Sequence, residues 1–164
     1  MFNGNMVDLR KINNAELRKF CDMVGLVVLN AVYDAPEMPG SRDFTVLAEM
    51  HDTDVPVGCI RVDEFTGDGR RCTMSYYLCK DYEYDEPVFA DLIVAMLKSL
   101  FAEFDVESIV CRHVKKIFGR QMYFPEAGFV VEVLDSCVNP NGELLVQLDY
   151  VMHREEYEKR YGDR

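Results

Sequence analysis

No run of apolar residues in this sequence is long enough to span a bilayer, and no segment repeats. The opening "MFNGNMVDLRK" lacks a basic stretch followed by an apolar core, so a secretion signal is not expected. Positive charge is scarce: 18 basic residues face 29 acidic ones, for a formal net charge of −11. The densest basic clusters, Arg70-Arg71 and Lys115-Lys116, are too short to draw a phosphate backbone to such a chain. Nucleic acid and anionic membrane surfaces are therefore not expected partners, and a cationic or amine-bearing one fits better. Cys21, Cys59, Cys72, Cys79, Cys111 and Cys137 contain no C-x-x-C pair, and His51, His113 and His153 show no metal-ligand spacing. Buried free thiols in a reducing cytoplasm are the expectation, with no metal site.

What is present is a chain of 164 residues, 49% apolar, which suits one domain over 1–164 with a substantial core. "MVDLRKI" alternates as a first strand, and Asn13 followed by Glu16 marks the start of a first helix through Leu17, Phe20, Cys21 and Val24. "LVVLNAVY" fits a helix or a strand, and "DAPEMPGSRD" is loop chemistry. Phe44 to Met50, Val57 to Phe65 and Cys72 to Leu78 read as a meander of three strands. Phe89, Leu92, Ile93, Met96, Leu97, Leu100, Phe101 and Phe104 keep helical spacing, and Ser108 to His113 then returns as a strand parallel to the one before that helix. "IFGRQMYFPEAGF" is a short helix disrupted by Pro125 and ended near Gly128. "VVEVLDS" and "LLVQLDYVMH" flank the turn "NPNG" as a closing hairpin, and "REEYEKRY" reads as a solvated helical end. The fold class is α/β (α+β): a mixed, mostly antiparallel sheet with a parallel pair at strands 4 and 5, and helices packed on it.

In that order, "GNMVDLRKI", "PVGCIRVDEF", "MSYYL", "EAGF" and "YVMHREEY" resemble the strands and turns of the GNAT superfamily of acyl-CoA-dependent N-acyltransferases. The likeness covers nearly the whole chain. It is greatest to the branch that acetylates ribosomal-protein termini and small amines. The resemblance implies direct attack of an amine on an acetyl-CoA thioester. The acceptor would be an amine-bearing small molecule, a protein N-terminus or a lysine, and a homodimer is left open. It also implies that pantetheine pairs with the backbone of Tyr77, Leu78 and Cys79, and that the pyrophosphate lies on the next loop at a helix N-terminus, over Tyr84, Asp85, Glu86 and Val88.

The same resemblance exposes two departures. The family's loop reads Q/R-x-x-G-x-G/A, whereas here the basic position is Glu83, the glycine positions are Tyr84 and Glu86, and Pro87 removes a donor. Asp85 or Glu86, with Pro87 in the first turn, could instead cap the helix and take the place of the phosphate. The family's general-acid tyrosine falls on Phe124, one residue from Tyr123, which becomes the catalytic candidate; its asparagine falls near Ile117. The general-base position is Thr73 or a neighbour, with Glu49, Asp63 and Glu64 as substitutes. Cys79 has no base that sequence can place beside it, so a structural thiol is favoured over a nucleophile. His113 is read as a strand-end histidine rather than a base. Two functions follow: an acyl-CoA-dependent N-acetyltransferase, or a GNAT-fold binding module that has lost acetyl-CoA.

Overall fold

A computed structural model of the chain describes residues 1–24, 42–112, 120–138, 142 and 144–162. The alternating segments become strands: β1 (Val7–Ile12), β2 (Phe44–Met50), β3 (Pro56–Asp63), β4 (Arg71–Leu78), β5 (Ser108–Arg112), β6 (Val130–Val138) and β7 (Leu144–His153). The helical segments among the described residues are α1 (Asn14–Val24), α2 (Glu86–Glu103), α3 (Arg120–Glu126) and α4 (Arg154–Tyr161). The strands form one seven-stranded sheet in the order β1-β2-β3-β4-β5-β7-β6. β4 and β5 run parallel, as the helical crossover between them requires, and the β1–β2, β2–β3, β5–β7 and β6–β7 ladders are antiparallel. The chain divides into two compact units, Met1–Asp63 with Tyr77–Ser99, and Glu64–Tyr76 with Leu100–Arg164. No helix among the described residues is long and apolar enough to cross a membrane.

In the first unit, the predicted cap of α1 is present in both directions. The Glu16 N–H donates to Asn13 Oδ1 at 2.9 Å, and the Asn13 N–H donates to Glu16 Oε2 at 3.1 Å. The helix buries Leu17, Phe20 and Cys21 with Ile12, Leu47 and Cys59, and each large apolar side chain so placed contributes about 1.5–3 kcal/mol. The start of the chain is tied down by one carboxylate on α2. Asp91 accepts the N–H groups of Asn5, Met6 and Val7 at 2.8, 2.8 and 3.1 Å. Gly4 passes so close to it that an added Cβ would overlap the Asp91 carboxylate. Replacing Asp91 with alanine strands three donors at once and is expected to cost about 2–3 kcal/mol in urea unfolding, Asp91→Asn less.

His51 links β1 to the turn after β2. Its Nδ1 lies 3.0 and 3.1 Å from the Asp8 carboxylate oxygens, and its Nε2 lies 3.5 Å from Asp52. The bond to Asp8, then the charge of Asp52, raises the imidazole above its ordinary 6.5. A raised folded pKa stabilises below the unfolded value and is lost as pH rises through the folded one. Urea midpoints of the wild type should therefore fall as pH climbs above 6.5, and His51→Gln should remove that part of the slope.

In the second unit, α3 ends as expected at Gly128, whose φ is +99°. Two expectations are corrected. The third strand was expected to reach Phe65 but stops at Asp63, because Glu64 turns into the left-handed region at φ +50°. The tail is helical but not simply solvated. Arg154 donates from Nε to the Val106 carbonyl at 2.9 Å and from Nη2 to those of Phe101 and Phe104 at 3.2 and 3.1 Å, satisfying the carboxyl end of α2 within this unit. Tyr157 stacks on Phe101 at 4.7 Å between ring centroids. The expectations for "LVVLNAVY", and for His113 and Ile117, lie outside the described residues.

Candidate functional site

The parallel ladder of β4 with β5 runs from Arg71↔Ser108 to Ser75↔Arg112, and β4 then continues to Leu78. Its far end is shaped by β3: an alanine at Gly58 would drive a Cβ into the Tyr77 carbonyl oxygen, so only glycine allows this approach. The Cys79 N–H donates to the Val57 carbonyl at 2.8 Å, and the Tyr77 and Cys79 side chains pack on the cluster around Phe20 and Leu47. Burial, then the charge of Asp81, pushes the Cys79 thiol up to about 11. At neutral pH it stays protonated, which is the state of a structural cysteine and not of a nucleophile.

The following loop spends its donors on itself. Lys80–Tyr82 form one 3-10 turn. The N–H groups of Tyr82, Glu83 and Asp85 donate to the carbonyls of Cys79, Lys80 and Tyr82 at 2.9, 3.3 and 3.2 Å. Asp85 caps α2: its Oδ1 accepts the Val88 N–H at 3.1 Å, and its carbonyl accepts the Phe89 N–H at 3.0 Å. Glu86 opens the helix, Pro87 has no hydrogen to give, the Val88 side chain is buried, and Tyr84 is 78% exposed. Carboxylates at Asp85 and Glu86 complement the helix dipole as a phosphate would. The loop residues therefore do not fit a bound diphosphate: the N–H groups of Tyr82, Glu83, Asp85 and Val88 are taken, Pro87 has none, and the charge has the wrong sign.

In the second unit Phe124 is fully buried, stacked on Tyr150 at 4.5 Å and edge-on to Phe129 at 5.2 Å. The neighbouring Tyr123 is half-buried; burial, then Tyr161 and Cys111, raises its hydroxyl above the usual 10, so it holds its proton at neutral pH. On the same unit, Thr73 and the base candidate Glu64 join two residues that no motif singles out, Arg112 and Asp149. Arg112 donates from Nε and Nη2 to the two oxygens of the buried Asp149 at 3.3 and 3.2 Å, and from Nη1 to Glu64 Oε1 at 2.8 Å. Glu64 Oε2 accepts the Thr73 hydroxyl at 3.2 Å. The bond from Arg112 holds the Glu64 carboxyl below its ordinary 4.5, and the bond to Asp149 raises the guanidinium further. A carboxylate held low is a poor base, which weighs against Glu64 in that role. The only sequence signal for this group is a lone arginine and a lone aspartate inside apolar strands that turn out to be register partners, Arg112↔Asp149. Among the described residues no group of His, Cys, Asp and Glu is arranged to hold a metal ion.

No protein-family model matches the chain, and no curated protein matches it in sequence. Solved structures do match in fold. A spermidine N-acetyltransferase chimera from Vibrio cholerae SpeG and hSSAT superposes with a TM-score of 0.73 at 14% identity, over 95% of this chain and 100% of that one. AAC(6')-Ib in complex with ribostamycin and coenzyme A gives 0.71 at 16% identity, over 98% and 100%. A putative ribosomal-protein-serine acetyltransferase from Vibrio cholerae gives 0.62 at 13%, over 91% and 94%. The chain has the GNAT fold.

Proposed function

We propose that the chain, acting as one domain, transfers an acyl group from a thioester to an amine by direct attack. The observation that carries this reading is the course of β4, which runs on to Leu78, beyond Ser75, its last residue in register with β5 among the described residues. The backbone of Tyr77, Leu78 and Cys79 is where the resemblance sets the thioester arm, with a strand N–H near Leu78 polarising the carbonyl. Acetyl-CoA is the first donor to test, at an affinity lowered by the loop. The fold neighbours support an amine acceptor, since one is a spermidine N-acetyltransferase chimera and another is AAC(6')-Ib in complex with ribostamycin and coenzyme A. The net charge of −11 favours a cationic amine, whether a small molecule, a protein N-terminus or a lysine. Cys59, Cys79 and Cys111 are thiols outside any disulfide, which fits a reducing cytoplasm.

In the transfer the amine nitrogen bonds to the carbonyl carbon, the carbon–sulfur bond breaks, and the thiolate takes a proton. Tyr123 is the proposed donor, recharged by the proton that the nitrogen loses. A hydroxyl raised above 10 is a weak acid towards a thiolate of about 8.5, so the two proton movements must be coupled. A second reading, a non-catalytic GNAT-fold module, is favoured by one observation, the hold of Asp85 on the Val88 N–H. Calorimetric titration with acetyl-CoA and with acetyl-pantetheine separates the two. Saturable binding of either thioester supports transfer, whereas no heat from either at millimolar concentration leaves the module.

A further inference from the structure

We infer that the chain's own Asp85 is the resident anion at the N-terminus of α2, and that this protein therefore takes no nucleotide diphosphate there. The geometry is local to the first unit. Asp85 Oδ1 already accepts the Val88 N–H at 3.1 Å. The Glu83 and Asp85 N–H groups serve Lys80 and Tyr82, and Pro87 offers no N–H. A diphosphate would have to displace a carboxylate tethered to the helix it caps, and would leave that carboxylate beside its own charges. From Cys79 to Val88 the chain offers one basic residue, Lys80, against Asp81, Glu83, Asp85 and Glu86. The charge that would compensate such a ligand is thus missing, and the Glu83, Asp85 and Val88 donors are already engaged.

The consequence for substrate class rests on the acyl-transfer reading above. A donor held by this chain is recognised through its thioester arm, so acyl-pantetheine, which carries no diphosphate, should serve it at least as well as acyl-CoA. The inference about Asp85 is tested without any acyl transfer. In isotope-labelled full-length protein the Val88 amide resonance is followed during titration with CoA and with inorganic pyrophosphate. In the wild type it is expected to stay in place to millimolar ligand. In the variant Glu83→Gln/Asp85→Ala/Glu86→Gln it should move saturably with both. Asp85→Asn in the same background keeps a capping oxygen, should the alanine variant lose α2, and should give an intermediate response. A saturable shift of Val88 in the wild type at micromolar CoA overturns the inference. So does a well-dispersed variant whose Val88 amide remains silent. Failure of acyl transfer with every donor, with Val88 silent in the wild type and responsive in the variant, would sink the transferase reading and leave the inference standing.

Discussion

Arg112→Met is expected to cost the protein about 3–5 kcal/mol, because it leaves a buried carboxylate without its partner. Asp149 is 1% exposed and takes both of its Arg112 bonds side by side. Arg112 itself remains 28% exposed, so water offsets part of the loss and the lower end of the range is expected. The bond to Glu64 adds little, since that side chain is 55% exposed. The double variant Arg112→Met/Asp149→Leu should recover most of the stability, as paired replacement of buried ions by apolar groups usually does. Glu64 supplies a pH signature. Its folded pKa lies below 4.5, so its stabilisation is present above 4.5 and is lost as pH falls through the lower folded value. Arg112→Met should flatten that part of the acid limb. Denaturant midpoints check both points, and a single variant within about 1 kcal/mol of wild type would contradict the account of the pair.

Replacing Glu83, Tyr84 and Glu86 together by arginine, glycine and glycine is expected to tighten acetyl-CoA binding by about ten- to a hundred-fold at low salt. One carboxylate about 6 Å from a phosphate charge costs about 0.7 kcal/mol in bulk water and nearly 3 at an effective dielectric near 20. Two such charges are removed and one of opposite sign is added, while tenfold in affinity needs only about 1.4 kcal/mol. The exposure of Tyr84 means that its loss leaves no hole in the core. Because the gain is mostly coulombic, it should shrink at physiological salt. Asp85 is kept in this variant, so Val88 should stay capped and the improvement should come from charge and added backbone freedom. An affinity that does not change at low salt would mean that the charged end of CoA never approaches this loop.

The features legible in sequence were those that depend on neighbours along the chain. The reciprocal bonds of Asn13 and Glu16 follow from a four-residue pattern, and β2 begins and ends where its apolar run does, at Phe44 and Met50. The capping alternative for Asp85 could be read for the same reason, since cap and helix are contiguous. Arg112 and Asp149 could not, because their meeting depends on the register of β5 against β7, and the approach of Glu64 depends on a left-handed turn that no glycine announces. Arg154 belongs to a tail that is polar in sequence, but its acceptors lie about fifty positions earlier in the chain, at Phe101, Phe104 and Val106. Local periodicity reports a face, not what that face meets.

The measurement closest to the central claim is release of free thiol from acetyl-CoA and from acetyl-pantetheine by the purified protein, with and without a panel of cationic amines. The account predicts amine-dependent release from both thioesters, no slower from acetyl-pantetheine than from acetyl-CoA, with the acetyl group recovered on the amine by mass. Folded protein that releases no thiol above the uncatalysed rate from either donor, with any amine, would contradict it.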